Sequence, residues 1–192
     1  NIKIEKGEID YSNIKFVMAS SLTTRKGIDL LAKALEKLDG IVKNKCEFHI
    51  FGDGICFELL KDTEAKLRNI SLKLYGRVEK PYKQYGDKDV FLMTSRDECL
   101  PMSILEAMSI GMPIVSTNVG AIDELIIDGV NGIFIEPEIN SIVTAITDIL
   151  SKKYDLMKMG AESRNIFLEK FSAMQWCDSF SDIFNLTLKG TN

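Results

Sequence analysis

Short apolar runs alternate with segments of helical period along most of the chain, and this alternation restricts the fold more than any other feature. KFVMAS (15–20), CEFHIF (46–51), SLKLYG (71–76), DVFLMTS (89–95), PIVST (113–117) and NGIFIEP (131–137) have the length and apolar content of buried strands. Between them, KGIDLLAKALEKL (26–38), CFELLKDTEAKLRN (56–69), PMSILEAMSIG (101–111) and AIDELIIDG (121–129) space their apolar residues as helices do. PYKQYGDK (81–88) reads as a short helix or turn, and the residues after 137 read as helical. Pro101 in a first turn and Gly111 just past the periodic residues are matching start and stop signals.

Strands that are apolar nearly throughout belong in a parallel sheet covered on both faces. Right-handed crossovers then give an α/β, Rossmann-like doubly wound parallel sheet. No internal repeat or low-complexity linker divides the 192 residues. The expected organisation is a lead-in over 1–14, one domain over 15–170, and a C-terminal helix over 171–192. In that last segment Phe171, Met174, Trp176, Phe180 and Phe184 recur at helical spacing and read as packing.

A net charge of -4, with no basic run, argues against a nucleic-acid partner. Four scattered cysteines and the single histidine, His49, do not make a zinc site. Free thiols, no signal peptide and no membrane-length apolar stretch point to the reducing cytoplasm. The chain begins NIKIEK without a methionine and is read as a piece of something longer.

In an open α/β sheet, ligands bind beyond the carboxyl ends of the strands. The loops expected there are SSLTTRKG, GDG, GRVEK, SRDECLP and TNVGA, and they hold nearly all the suggestive polar residues. With Pro101 as the first helical residue, Met102, Ser103 and Ile104 would present free backbone N–H groups, which suit an anion such as phosphate. Glu98 and Glu106 flank that helix start; as carboxylates they would repel the anion and accept from hydroxyls attached to it. The same acids are also accounted for as a favourable charge at the helix dipole and a solvated helix residue. Arg25 and Lys26 can reach a phosphate, or merely sit in a basic helix-start loop. Gly52 and Gly54 allow a close backbone approach, or simply a tight turn; the run is neither GxGxxG nor a P-loop.

The run ECLPMSILEAMSIGMPIVSTNVGAIDELIIDGVNGIFI resembles glycosyltransferase family 4, the retaining enzymes with the two-domain GT-B fold. There a glutamate, seven residues and a second glutamate straddle a helix start, as Glu98 and Glu106 do. EAM (106–108), G-x-P (111–113) and NGIF (131–134) follow, and SLTTRKGIDLLAKAL, FGDG and YGRV precede in the family's order. The resemblance implies the C-terminal, donor-binding half of such an enzyme, with a nucleoside diphosphate sugar as donor and no metal or other cofactor required. It gives Glu98 to the donor sugar with Cys99, Leu100 and Pro101 beside it, and Glu106 to the ribose hydroxyls. Met102, Ser103 and Ile104 would hold the diphosphate with Lys26, while Gly52, Gly54, Arg77 and Val78 meet the nucleotide. Ser21 stands where the family usually has an arginine, which implies either Arg25 as its replacement or a weaker hold on the diphosphate; Cys99 and Ala121 stand where glycines are usual.

DKD (87–89) is similar to the metal-holding acidic pair of some glycosyl-transferring enzymes, but reads better as capping the approach to strand DVFLM. The expected reaction is transfer of a hexosyl group to a hydroxyl acceptor with retention. Glu98 and Lys26 are its catalytic candidates. The glycan or glycolipid acceptor would be held by an N-terminal half across the cleft, so this chain alone is expected to be inactive. A full-length enzyme of this kind can associate peripherally with the inner membrane face. A non-catalytic nucleotide-sugar-binding module, or an epimerase of the same architecture, is the alternative.

Overall fold

The computed structural model of the chain describes residues 8–42, 45–172 and Gln175. Six parallel strands form one sheet in the order β3-β2-β1-β4-β5-β6. They are β1 (Asn13–Ala19), β2 (Lys45–Phe51), β3 (Ile70–Leu74), β4 (Val90–Met93), β5 (Ile114–Thr117) and β6 (Gly132–Ile135). The helices are α1 (Ile28–Asp39), α2 (Phe57–Glu64), α3 (Met102–Ser109), α4 (Ile139–Leu150) and α5 (Leu156–Ile166), followed by a π turn over Phe167–Phe171.

Alternate residues of the strands feed two cores, except in the edge strand β3, which buries only one face. Phe16, Phe48 and Leu92 face α1, α2 and α4, whose buried residues include Leu35, Leu60 and Ile146. Val17, Phe51 and Phe91 face α3, whose Ile104, Ala107 and Met108 are buried there. The last helix joins both: Leu156 and Met159 of α5 pack in the first core and Ile166 in the second. A sheet apolar on both faces is what the continuous strand runs require. The strand reversal falls between β1 and β4, so the loops after those strands diverge and open a crevice.

Two expected helices are shorter than their patterns. In 56–69 the helix stops at Glu64, because the Asp39 carboxylate accepts from the amides of Asn69 (2.7 Å) and Ile70 (2.8 Å) and draws the chain into β3. In 121–129 only one 3-10 turn forms, Ile122–Glu124. There the buried Asn131 side chain accepts from the Ile127 amide (2.7 Å) and donates to the Leu125 carbonyl (3.0 Å), replacing helical bonds. PYKQYGDK contributes a single 3-10 turn at Pro81–Gln84. Phe171 packs against the second core; Met174, Trp176, Phe180 and Phe184 lie outside the described residues. Among the described residues, no helix is long and apolar enough to cross a membrane.

Candidate functional site

A cleft of about 870 Å³ opens at the carboxyl ends of β1, β2 and β3 and at the start of α3, within the size range of small-ligand sites. Ser21, Gly52, Gly54, Arg77 and Val78 line it from the strand loops; Met102, Ser103 and Glu106 line it from α3. Its wall also includes Ile55, Asp53 and Pro81, which the sequence did not single out. Ile55 is 84% exposed and Met102 64%, so two large apolar side chains stand out beside the cleft.

Backbone packing explains the glycine turn. Gly52 has φ +141°, and a Cβ there would lie 1.8 Å from the Ser20 carbonyl oxygen. Its N–H donates to the Gly76 carbonyl at 2.8 Å, so the loops after β1, β2 and β3 meet at this residue. Gly120 does the same for the fourth loop: at φ +63°, a Cβ would lie 2.0 Å from the Glu98 carbonyl oxygen. The next amide, Ala121 N–H, donates to the Cys99 carbonyl at 3.1 Å. Alanine meets that requirement as well as glycine would. The Cys99 side chain is exposed, so the thiol adds no buried volume where the family pattern has glycine.

At α3 the expectation needs one correction. Pro101 is not the first helical residue; it is the extended N-cap, with φ -74° and ψ 109°. Its carbonyl accepts from the Ile104 N–H at 3.1 Å. Ile104 is fully buried and its amide is already occupied, so it does not contribute to an anion cradle. The first two helical amides, Met102 and Ser103, have no intrahelical carbonyl to meet and border the cleft. Their dipole end favours an anion.

Glu106 is half-buried, and burial raises its pKa above the ordinary carboxylate value. Among the described residues, nothing donates to its carboxylate. Tyr85 is fully buried between Phe51 and Phe91; among the described residues its hydroxyl has no partner, and both burial and the nearby Glu106 charge raise its pKa.

Lys26, Arg25, Glu98, Cys99, Leu100, Pro101 and Ile104 do not line the cleft. Lys26 Nζ instead grips both carboxylate oxygens of Glu98, at 2.6 and 2.7 Å, and Ser95 Oγ donates to the same carboxylate at 2.7 Å. Arg25 lies 3.5 Å from Asp97, both largely exposed. A further residue ties these loops together. Arg96 binds Asp29 bidentately at 2.7 and 2.8 Å and also donates to the Thr24 carbonyl, while its own amide donates to the Arg25 carbonyl at 2.8 Å. Arg96 was visible in SRDE, but its partner is 67 residues away and nothing in the sequence pairs them.

The DKD run sits at the opposite, amino-terminal ends of the strands. Asp89 accepts from the Lys15 amide at 2.7 Å, and Asp87 lies beside Lys88 and Lys15. Among the described residues, no group of carboxylates, cysteines and histidines is arranged to hold a metal.

Residues 1–166 match the family described as glycosyl transferases group 1. An uncharacterized glycosyltransferase of Methanocaldococcus jannaschii is 29% identical over 177 residues, covering 90% of this chain and 47% of that protein. The poly(ribitol-phosphate) alpha-N-acetylglucosaminyltransferase of Staphylococcus aureus is 29% identical over 197 residues, covering 96% of this chain and 38% of its own length. The solved pneumococcal O-GlcNAc transferase GtfA, in complex with UDP and GlcNAc, superposes with a TM-score of 0.76 at 26% identity, covering 91% of this chain and 36% of that one. The chain thus spans less than half the length of these relatives, and its solved neighbours are GT-B glycosyltransferases. With a parallel α/β sheet, a cleft at its carboxyl edge and a family match over most of its length, the chain belongs to the glycosyl transferases group 1 family.

Proposed function

We propose that this chain is the donor-binding half of a retaining glycosyltransferase that moves a hexosyl group from a nucleoside diphosphate sugar to a hydroxyl acceptor. One observation carries the reading. A single cleft gathers the glycine turn, the first amides of α3 and a half-buried Glu106, neither those α3 amides nor that carboxylate having a partner among the described residues. Amides and helix dipole suit a diphosphate, and a carboxylate without a donor suits a vicinal diol. The UDP and GlcNAc held by the pneumococcal relative support a nucleotide-sugar donor.

In this reading the Met102 and Ser103 amides meet the leaving diphosphate, a preorganised electrostatic contribution that needs no proton transfer. Glu106 accepts from the ribose. Arg77 and the Val78 backbone bound the nucleoside end, and Glu98 serves the sugar once its carboxylate is available. The acceptor and the rest of the catalytic apparatus belong to an N-terminal half across the cleft, so this chain alone binds donor without transferring. The full-length enzyme works in the cytoplasm, at the inner face of the membrane where its acceptor is a glycolipid.

The test is titration calorimetry with UDP, GDP and their sugar conjugates. Glu106→Gln should weaken nucleotide and sugar nucleotide alike, by about tenfold, because the ribose is common to both and a hydrogen bond to a charged group is lost. Unchanged affinity for both would remove Glu106 from the site.

A further inference from the structure

Lys26 and Glu98 were both expected on the donor, yet they hold each other. The ammonium contacts both carboxylate oxygens, the pair is only 14% and 6% exposed, and Ser95 adds a third hydrogen bond to Glu98. An ammonium so engaged has one N–H left for a phosphate, and turning its charge fully onto a diphosphate draws it away from Glu98. A phosphate that captures it leaves a nearly buried carboxylate short of its counter-charge, which is costly unless new donors replace it. Hydroxyls of a sugar attached to that phosphate are such donors.

The two loops are fixed relative to each other by other means. The Arg96 amide bonds the Arg25 carbonyl, and its guanidinium binds Asp29 and the Thr24 carbonyl. Thr94 Oγ1 donates to the Lys26 carbonyl at 3.1 Å. The loop backbones are thus tied independently of the ion pair, which can open without undoing those bonds.

Resting on the donor reading above, we propose that the Lys26–Glu98 pair is a latch opened by the donor's diphosphate, which takes the Lys26 ammonium in exchange and releases the Glu98 carboxylate to the sugar hydroxyls. Phosphate recognition and exposure of the sugar-binding acid are then one linked event. A nucleoside without phosphates leaves the latch closed.

Titration calorimetry on the chain, with UDP, GDP and ADP and their nucleosides, tests this. Glu98→Gln frees Lys26 and should tighten the binding diphosphate about fivefold, the scale of one shielded ion pair. Nucleoside affinity should not change, and the sugar conjugate should lose its advantage over the diphosphate. The control is a cycle: in Lys26→Met/Glu98→Gln the gain should vanish, leaving diphosphate binding no tighter than in the unsubstituted chain. A gain that persists in the double variant would reveal simple charge repulsion by Glu98 and overturn the latch. Equal or weaker diphosphate binding by Glu98→Gln would overturn it too, while leaving the donor reading intact. Failure of every diphosphate to bind the unsubstituted chain and Glu98→Gln alike would overturn the donor reading, and the latch with it. Should Glu98→Gln lack a cooperative melt, Glu98→Ala carries the same expectation, since it also frees Lys26.

Discussion

Glu106 and His49 are titratable residues held away from their ordinary behaviour, in opposite directions. Burial raises the Glu106 pKa, so ionising it opposes folding. That penalty is absent below the ordinary carboxylate range and present once the pH rises through the raised folded value. Glu106→Gln should therefore melt about 1–2 °C higher at pH 7 and show no gain near pH 4, while losing nucleotide affinity. Thermal melts at the two pH values check it. His49 is 3% exposed, and burial first, then Lys88 and Lys73, lower its pKa from 6.5 to about 4. Its neutral form stabilises the fold above pH 6.5, and that contribution is lost as pH falls toward 4. Glu47, held at about 2 chiefly by Lys73, stays ionised throughout that window and does not obscure it. Urea unfolding should show a loss of about 2 kcal/mol between pH 7 and 5 that His49→Asn lacks. The two glutamates and their spacing were legible in DECLPMSILE. Their circumstances were not, because the lysine that closes on Glu98 is 72 residues away and the burial of Glu106 depends on the packing of α3.

Elements were legible where periodicity and length agreed. The six strands and α1 and α3 follow the apolar pattern to within a few residues. The misread stretches were those where one buried or bridging polar side chain outcompeted local propensity: Asp39 at the end of α2, and Asn131 in the loop before β6. Such partners are tertiary facts that a window of neighbours does not contain. The loops are tied just as firmly. Gly120→Ala would drive a Cβ to 2.0 Å from the Glu98 carbonyl oxygen, and relieving that contact must shift backbone that carries Glu98. The expected cost is about 2–4 kcal/mol, read by urea unfolding, with weaker binding of sugar nucleotide in the fraction that still folds. Arg96→Ala removes the two bonds to Asp29 and the bond to the Thr24 carbonyl without adding bulk. It should cost less stability and blunt the distinction between diphosphate and nucleoside.

Across the whole molecule, the binding edge is separate from the core on the α1, α2 and α4 side, while Ala19 and Phe51 of the other core reach the wall of the cleft. Leu35 is fully buried in the core on the α1, α2 and α4 side, whereas the cleft is lined from the strand ends and α3. Leu35→Ala should cost about 2–5 kcal/mol through cavity formation, yet leave calorimetric affinity per folded molecule unchanged. On the proposed donor reading, nucleoside diphosphates should raise the melting temperature of both proteins, as any ligand of the folded state alone does. The separation also bears on how such a chain can diverge. Its loop backbones are locked to one another through Gly52 and Gly120, but Ile55, Arg77 and Met102 project from that locked frame into or beside the cleft as exposed side chains. Substitutions there disturb neither core nor loop backbone. If the cleft takes the proposed donor, its preference can therefore drift, or be re-engineered, one exposed residue at a time, on a scaffold whose foldability is set largely elsewhere.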